Sequence, residues 1–297
     1  MLSSEYFYNY FQLNHFDYKQ EANRHLLEMD DKTFEATYKG IIDLNRMDYD
    51  RTIKMDIRFT FLLAVETLFE FIFALLPEED GSLNDKKILQ RLAEKKHYNA
   101  EIRKFAKEEP NRLDENLKKN FYYKLNGKLR SKPLIQQLFY AGVEQERVEQ
   151  DLKKCTDVIY RSLRVLAKEV ANRTELNSYK HGFKAIPYFR TFEFQDPETK
   201  KNLIELDLRD SVSNFVFDEK KNTSRIETHT LDHKRDILLT GWTSHLIANM
   251  VQTRKSLYES GKGIAVKLMF FDEKEWERAQ KANVKGQHFV INFDHKP

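Results

Sequence analysis

The residues with the clearest potential for chemistry lie between Arg173 and Gly182. Arg173, Asn177 and His181 follow one another at four-residue spacing, and Lys180 stands beside the histidine. If a helix continues through this segment, these three side chains share one face, because residues four apart lie one turn above another. A cation can hold a phosphate, an amide can orient it, and an imidazole can move a proton near neutral pH. The spacing therefore predicts a phosphate-binding or proton-transfer site near the end of a helix.

The same residues also suit a purely structural helix end. His181, next to Gly182, can bond the last carbonyl groups of its helix, and Asn177 can cap the helix or bridge to the next strand. Arg173 can cover apolar surface with its aliphatic stem. The chemical and the structural interpretation both stay open at this point.

A helical bundle is predicted to carry this segment. Apolar side chains recur at helical spacing between Pro133 and Lys180, which predicts one or two long helices. An earlier helix, over about 52–76, is apolar nearly all round and stops at Pro77. Highly charged residues 84–132 indicate short peripheral helices with a turn near Pro110. We expect an antiparallel helical bundle over 1–184.

The pattern changes after Gly182. Residues 188–194 and 203–208 alternate as strands around a turn that begins at Asp196, which predicts a hairpin. Further strands are predicted at 214–217, 225–230, 266–271 and 287–293, and helices at 236–260 and 272–282. The predicted fold class is α+β, with the N-terminal bundle followed by a smaller α+β domain with an antiparallel sheet over 185–297.

A second candidate site is the basic segment 118–132, which holds no acidic residue and has aromatic residues interleaved. Its candidate nucleic-acid-binding residues are Lys118, Lys119, Tyr122, Lys124, Lys128 and Arg130. Cations with exposed aromatics can follow a phosphate backbone and stack on bases. The alternative is a solvated loop whose aromatic residues dock on the core.

The amino-acid composition limits the classes of protein to which this chain can belong. Apolar residues make up 40% and charged residues 33% of the 297 residues, which is typical of a globular chain. The net charge of +3 does not by itself indicate a nucleic-acid binder, so any basic surface must be local. A single cysteine, Cys155, permits no internal disulfide, and the N terminus lacks the pattern of a secretory signal, so we expect a cytoplasmic protein.

Membrane, metal and cofactor sites are disfavoured. The apolar stretch 59–76 approaches the length of a membrane span, but Glu66 and Glu70 lie in its middle. His229 and His233 flank Asp232 at a spacing that could suit zinc, yet a third convincing ligand is missing. No phosphate-binding glycine loop or nucleophile elbow occurs, so we expect no cofactor.

The segment Asn177-Ser178-Tyr179-Lys180-His181 resembles the signature of the HEPN superfamily, helical bundles with an Arg-polar-x-x-x-His motif on a late helix. The spacing from Asn177 to His181 matches that signature. Leu176 stands where the family places its arginine, and Arg173 is the nearest candidate for that role. The resemblance covers this motif and the helical context across roughly 52–182.

The resemblance implies a metal-independent endoribonuclease in a bacterial defence or toxin setting, with two subunits placing their motifs across a shared groove. His181 would then transfer a proton to or from the ribose and the leaving oxygen. Arg173 or Lys180 would stabilise charge on the phosphorane, and Asn177 would orient the histidine or the phosphate. The expected partners are RNA, a second copy of the chain, and a protein bound through the C-terminal domain, with no membrane.

A catalytically inactive interaction protein remains the alternative. The displaced arginine favours a HEPN-like relative that binds nucleic acid, a nucleotide or a protein without cleaving it. In that case the bundle and the second domain both serve as docking surfaces.

Overall fold

The computed structural model describes residues 4–81, 83, 85–94, 98–125, 127–143, 148–171, 176–177, 180, 185–186, 191–196, 198–199, 201–208, 210–218, 222–260, 267–284 and 288–294. The fold is α+β, with a helical N-terminal region and antiparallel sheets. The helices are α1 (Ser4–Tyr10), α2 (His15–Leu27), α3 (Asp31–Tyr38), α4 (Arg46–Ala74), a 3-10 turn (Asp85–Lys87), α5 (Ile88–Ala93), α6 (Asn99–Ala106), α7 (Arg112–Lys118), α8 (Leu134–Tyr140), α9 (Glu149–Ala171), α10 (His233–Ser260) and α11 (Glu273–Gln280). The strands are β1 (Asn120–Leu125), β2 (Lys128–Pro133), β3 (Ala185–Ile186), β4 (Thr191–Gln195), β5 (Asn202–Asp207), β6 (Ser211–Asp218), β7 (Thr223–Thr230) and β8 (His288–Asp294).

The chain forms two compact units, each assembled from three separate stretches of sequence. The first unit comprises residues 1–17, 62–172 and 239–280, and the second comprises 18–61, 173–238 and 281–297. Helices α4 and α10 each contribute residues to both units. The division into domains 1–184 and 185–297 stays a prediction.

The core of the first unit is built on the C-terminal part of α4 and on α9. Leu68 and Ile72 of α4 and Leu163 and Leu166 of α9 are fully enclosed. Helix α6 packs on α9, and Phe105 of α6 is also buried. The apolar side chains of α9 recur every three or four residues, so one stripe faces the core while the rest of the helix is polar.

Helix α4 matches the predicted apolar helix in character. It begins at Arg46, ahead of the predicted start near 52, and ends at Ala74, just before Pro77. Of the two acids in its apolar stretch, Glu66 is buried and Glu70 is exposed. None of the helices within the described ranges combines the length and hydropathy that a membrane span requires.

The second unit contains the larger sheet, with strand order β3-β6-β7-β8 and antiparallel pairing throughout. The β6–β7 pair places Ser213 opposite Thr228, and their hydroxyl groups lie 2.9 Å apart. Strands β4 and β5 form the predicted hairpin, in which the Asp196 carboxylate accepts hydrogen bonds from the backbone N–H groups of Glu198 and Thr199. The strands predicted near 214–217, 225–230 and 287–293 are confirmed.

The strand predicted at 266–271 is wrong for the described residues, because 267–272 lie outside any strand. Side chains bind the backbone here instead of a neighbouring strand. The Asn249 amide accepts a hydrogen bond from the N–H of Met269 at 2.9 Å and donates one to its carbonyl at 2.7 Å. The hydroxyl of Tyr140 donates to the same carbonyl at 2.9 Å. The polar groups of Met269 are satisfied without sheet pairing.

Candidate nucleic-acid interface

The polar segment after α9 is described at three positions. Leu176, Asn177 and Lys180 are helical, and all three belong to the second unit. Leu176 is 2% exposed, whereas Asn177 and Lys180 are both exposed. Arg173 and His181 lie outside the described residues.

The three described residues of this segment differ in burial. Leu176 anchors its apolar side by burial. If one helix joins them, Asn177 and Lys180 are neighbours on its surface, because they are three residues apart. An amide beside an ammonium group can donate several hydrogen bonds to one phosphate, the ammonium contributing charge as well.

The basic segment 118–132 forms a β-hairpin of β1 and β2 in the first unit, preceded by the end of α7, so the prediction of helices alone over 84–132 is wrong here. The register pairs Leu125 with Lys128, and Gly127, which precedes β2, has a φ of 74°. A left-handed φ costs glycine little, because it has no Cβ. The sequence does carry a signal for this hairpin, since alternating apolar residues are followed by Asn-Gly, the dipeptide preferred in hairpin turns.

The pleat of the hairpin divides the segment into two faces. Phe121, Tyr123 and Leu125 of β1 are buried. Directly opposite them on β2 stand Lys132, Arg130 and Lys128, and opposite residues of an antiparallel pair share one face. We define this as the inner face.

The buried amide of Gln137 on α8 anchors the hairpin. Its Nε2 donates to the carbonyl of Phe121 at 2.5 Å and to that of Lys132 at 2.7 Å. The backbone N–H of Leu134, at the start of α8, donates to the carbonyl of Lys119 at 3.0 Å. These contacts hold both strands against one helix and leave the opposite side of the hairpin toward solvent.

The outer face consists of Asn120, Tyr122 and Lys124 of β1 with Leu129 and Ser131 of β2. Tyr122 is 66% exposed and Leu129 is 61% exposed. Lys124 lies directly opposite Leu129, and Tyr122 lies opposite Ser131. An exposed aromatic ring can stack on a base while a nearby ammonium group contacts a phosphate.

The six predicted nucleic-acid-binding residues are therefore distributed over three places. Tyr122 and Lys124 share the outer face, whereas Lys128 and Arg130 stand on the inner face. Lys118 is at the end of α7, where its Nζ lies 3.0 Å from an oxygen of Asp114 and 5.0 Å from the centre of the Tyr160 ring. Hydrogen bonding to Tyr160 and Asp114 raises the pKa of Lys118.

Lys119 completes the set, with its Nζ 5.4 Å from the centre of the Phe121 ring. An ammonium group at this distance from a ring is attracted by the electrons of the ring face. The lysines at 118 and 119 thus have contacts within the protein, and Tyr122 with Lys124 is the pair that the structure brings together on one exposed surface.

The histidines weighed as metal ligands flank a carboxylate that is engaged in capping. Asp232 accepts hydrogen bonds from the backbone N–H of Arg235 at 3.1 Å and of Asn283 at 2.6 Å. Partial burial opposes ionisation of Asp232, but the hydrogen bonds from Asn283 and Arg235 lower its pKa. Across the described parts of the chain, no three His, Cys, Asp or Glu side chains are grouped closely enough to hold a metal ion.

No protein-family model, no curated protein and no solved structure matches the chain.

Proposed function

We propose that this protein binds RNA and cleaves it as a HEPN-like, metal-independent endoribonuclease that works as a homodimer. The observation that supports the proposal is the exposure of Asn177 and Lys180, both in helical conformation, after the buried Leu176. Asn177 is the polar position of the HEPN-like motif, and its exposure leaves the amide accessible to an RNA phosphate. In the HEPN-like motif the catalytic histidine comes four residues after the polar position, which corresponds to His181 here.

The chemistry follows from the residue types. A helix continued by one residue beyond Lys180 would put His181 one turn after Asn177, on the same face. Imidazole titrates near neutral pH, so His181 can act as general base or acid for the 2′-hydroxyl and the leaving oxygen. Lys180 or Arg173 would stabilise the negative charge of the phosphorane.

The outer face of the hairpin supports RNA binding independently of cleavage. Tyr122 offers a ring for a base, and Lys124 offers a cation for a phosphate. Base stacking on an aromatic residue contributes about 1–3 kcal/mol in single-stranded nucleic-acid complexes.

Cleavage is tested by incubating the purified protein with total RNA in EDTA. We expect products ending in 2′,3′-cyclic phosphates, and we expect the His181→Ala variant to yield none while its melting temperature stays unchanged. His25→Ala is the matched control, because His25 is 67% exposed on α2 and contacts the nearby Glu21. Cleavage that persists in His181→Ala at the wild-type rate would remove the histidine from the mechanism.

Binding is tested separately with a single-stranded RNA and the cleavage-deficient variant. Tyr122→Ala should weaken binding by roughly 5- to 150-fold, and Lys124→Ala should lower the salt slope by about one unit. Lys153→Ala, on an exposed position of α9, removes the same charge away from the hairpin. Equal losses for Lys124→Ala and Lys153→Ala would show that binding does not use the outer face.

A non-catalytic interaction protein is the second candidate, favoured by an apolar patch on the sheet of the second unit. Phe215 and Phe217 are 44% and 50% exposed and stand on one face of β6. A protein partner recovered by cross-linking should then be lost with Phe215→Ser and Phe217→Ser together and retained with Tyr122→Ala. Equal recovery with both variants, together with RNA cleavage by the wild type, would rule against this candidate.

A further inference from the structure

A cleft of about 690 Å³ lies within the first unit, between α9 and the chain that leads into α11. One wall is the face of α9 that carries Cys155, Val158 and Arg161. The other wall is residues 270–273, with Phe271 buried and Phe270 49% exposed. Ligand sites for small molecules usually have volumes of roughly 300–1,000 Å³ and apolar walls with a few polar groups. We refer to this feature as the α9 cleft.

The α9 cleft has an apolar floor. The Cys155 side chain is 6% exposed, and Phe271 is 3% exposed. Phe270 lies at the edge of the cleft and stacks on Tyr140, with 5.7 Å between the two ring centres. Such a surface favours an apolar group and presents a half-exposed aromatic face next to it.

The rim of the α9 cleft is acidic. Four carboxylates and two cations line it, so its formal net charge is −2. Arg161 is bound by both oxygens of Glu273, and Lys154 lies 3.7 Å from Asp151. The excess negative charge therefore lies on Asp157 and Asp272. Asp272 also caps α11 by accepting a hydrogen bond from the N–H of Glu275 at 2.9 Å.

We propose that the α9 cleft binds a small amphipathic amine, whose apolar body lies on the floor and whose ammonium group lies among the carboxylates of the rim. Charge complementarity selects this class, because an anion meets net repulsion and a neutral ligand gains no pairing at the rim. Phe270 adds a ring face on which an ammonium group can lie. The site is independent of the RNA proposal, since the α9 cleft shares no residue with the polar segment after α9 or with the hairpin.

Two groups of this chain can report binding directly. The Trp242 ring lies 4.8 Å from that of Phe271, and the chain holds two tryptophans, so intrinsic fluorescence senses the floor of the cleft. Cys155 is the one cysteine of the sequence, so its labelling by methyl methanethiosulfonate is unambiguous. Burial raises the pKa of the Cys155 thiol, and labelling is therefore run at mildly alkaline pH, where an alkyl amine is still protonated.

The test compares three probes that share the phenethyl group, namely phenethylamine, phenethyl alcohol and hydrocinnamate, with the full-length protein. We expect phenethylamine to bind about 5- to 20-fold more tightly than the alcohol, from charge pairing and ring contact together. It should also slow the labelling of Cys155. Hydrocinnamate should bind more weakly than the alcohol. Equal affinity of the three probes, or no protection of Cys155 by the amine at millimolar concentration, would overturn the proposal.

Two double variants distinguish the effect of the rim carboxylates on amine binding from the effect of the overall charge of the protein. Asp157→Asn with Asp272→Asn brings the formal charge of the lining to zero and keeps a side chain that can cap α11. Phenethylamine binding should fall about 3- to 10-fold, and binding of phenethyl alcohol should not change. Glu115→Gln with Glu149→Gln removes two exposed charges outside the cleft and should leave both affinities unchanged. An equal loss in the two double variants would contradict the assigned site.

Discussion

The ion pair between Asp85 and Arg254 in the first unit permits a quantitative test of what holds this unit together. Arg254, on α10, has a side chain that is 2% exposed, and Asp85 has one that is 14% exposed. The guanidinium donates from Nε and Nη2 to the two carboxylate oxygens, each at 2.6 Å. Tyr8 of α1 donates to the same carboxylate at 3.3 Å. Together with Tyr8, the pair joins three segments that are distant in sequence.

Removing either partner should be costly, and the two single variants should differ. Burial opposes the charge on Arg254, but the attraction and hydrogen bonds of Asp85 raise its pKa, so the guanidinium stays charged. Asp85→Asn therefore leaves a buried cation without its counter-charge, which should lower the free energy of unfolding by about 3–5 kcal/mol. Arg254→Met leaves a carboxylate that solvent can partly reach, and we expect a smaller loss of about 2–4 kcal/mol.

Urea unfolding followed by circular dichroism measures these losses at neutral pH. The double variant should cost about 2–3 kcal/mol less than the sum of the two single variants, because each single change already removes the shared interaction. Additive losses, or a loss below about 1 kcal/mol for Asp85→Asn, would refute the conclusion that this pair is a buried, coupled interaction.

Two further predictions concern the hairpin anchor and a helix cap. Gln137→Leu removes the hydrogen bonds to the carbonyls of Phe121 and Lys132, so we expect a loss of about 1–3 kcal/mol in the free energy of unfolding and faster amide exchange in residues 120–133, measured by mass spectrometry. Unchanged exchange in the hairpin would contradict the anchoring role. The lowered pKa of Asp232 predicts a stability contribution that is present at neutral pH and is lost as pH falls below about 4, toward its folded pKa. Asp232→Asn should therefore flatten the acid limb of a plot of melting temperature against pH, and an unchanged acid limb would contradict the assignment.

Local patterns in the sequence were sufficient for most of the secondary structure. The alternation on either side of Asp196 predicted the β4–β5 hairpin, and apolar spacing predicted α9 and α10, because both signals depend on residues close together in the chain. The strands β1 and β2 were not predicted, because six lysines and arginines among fifteen residues obscure the alternation of Phe121, Tyr123 and Leu125. The strand predicted near 266–271 is absent from the described residues there, since an apolar run does not reveal that Asn249 will satisfy the backbone of Met269.

The candidate site was partly accessible to sequence reasoning. The spacing of Asn177 and Lys180 was visible in the sequence, but their exposure and the burial of Leu176 required the structure. For the basic segment 118–132, composition predicted a positive charge but did not predict the face of the hairpin to which each side chain points. Lys124 of β1 lies on the outer face, whereas Lys128 and Arg130 of β2 lie on the inner face. Adjacent residues of a strand point to opposite faces, and the pairing register decides which residues of β2 share a face with Lys124.

The sequence by itself determined the α+β class, the positions of the long helices and the hairpin around Asp196, because periodicity and turn chemistry act over a few residues. Tertiary structure alone decided that each compact unit is assembled from three distant stretches, that Asp85 meets Arg254, and that an acidic rim surrounds an apolar floor beside α9. Those features depend on which surfaces meet after long loops have closed. The free energy of such contacts is distributed over many side chains that are distant in sequence, so a local sequence pattern does not predict them.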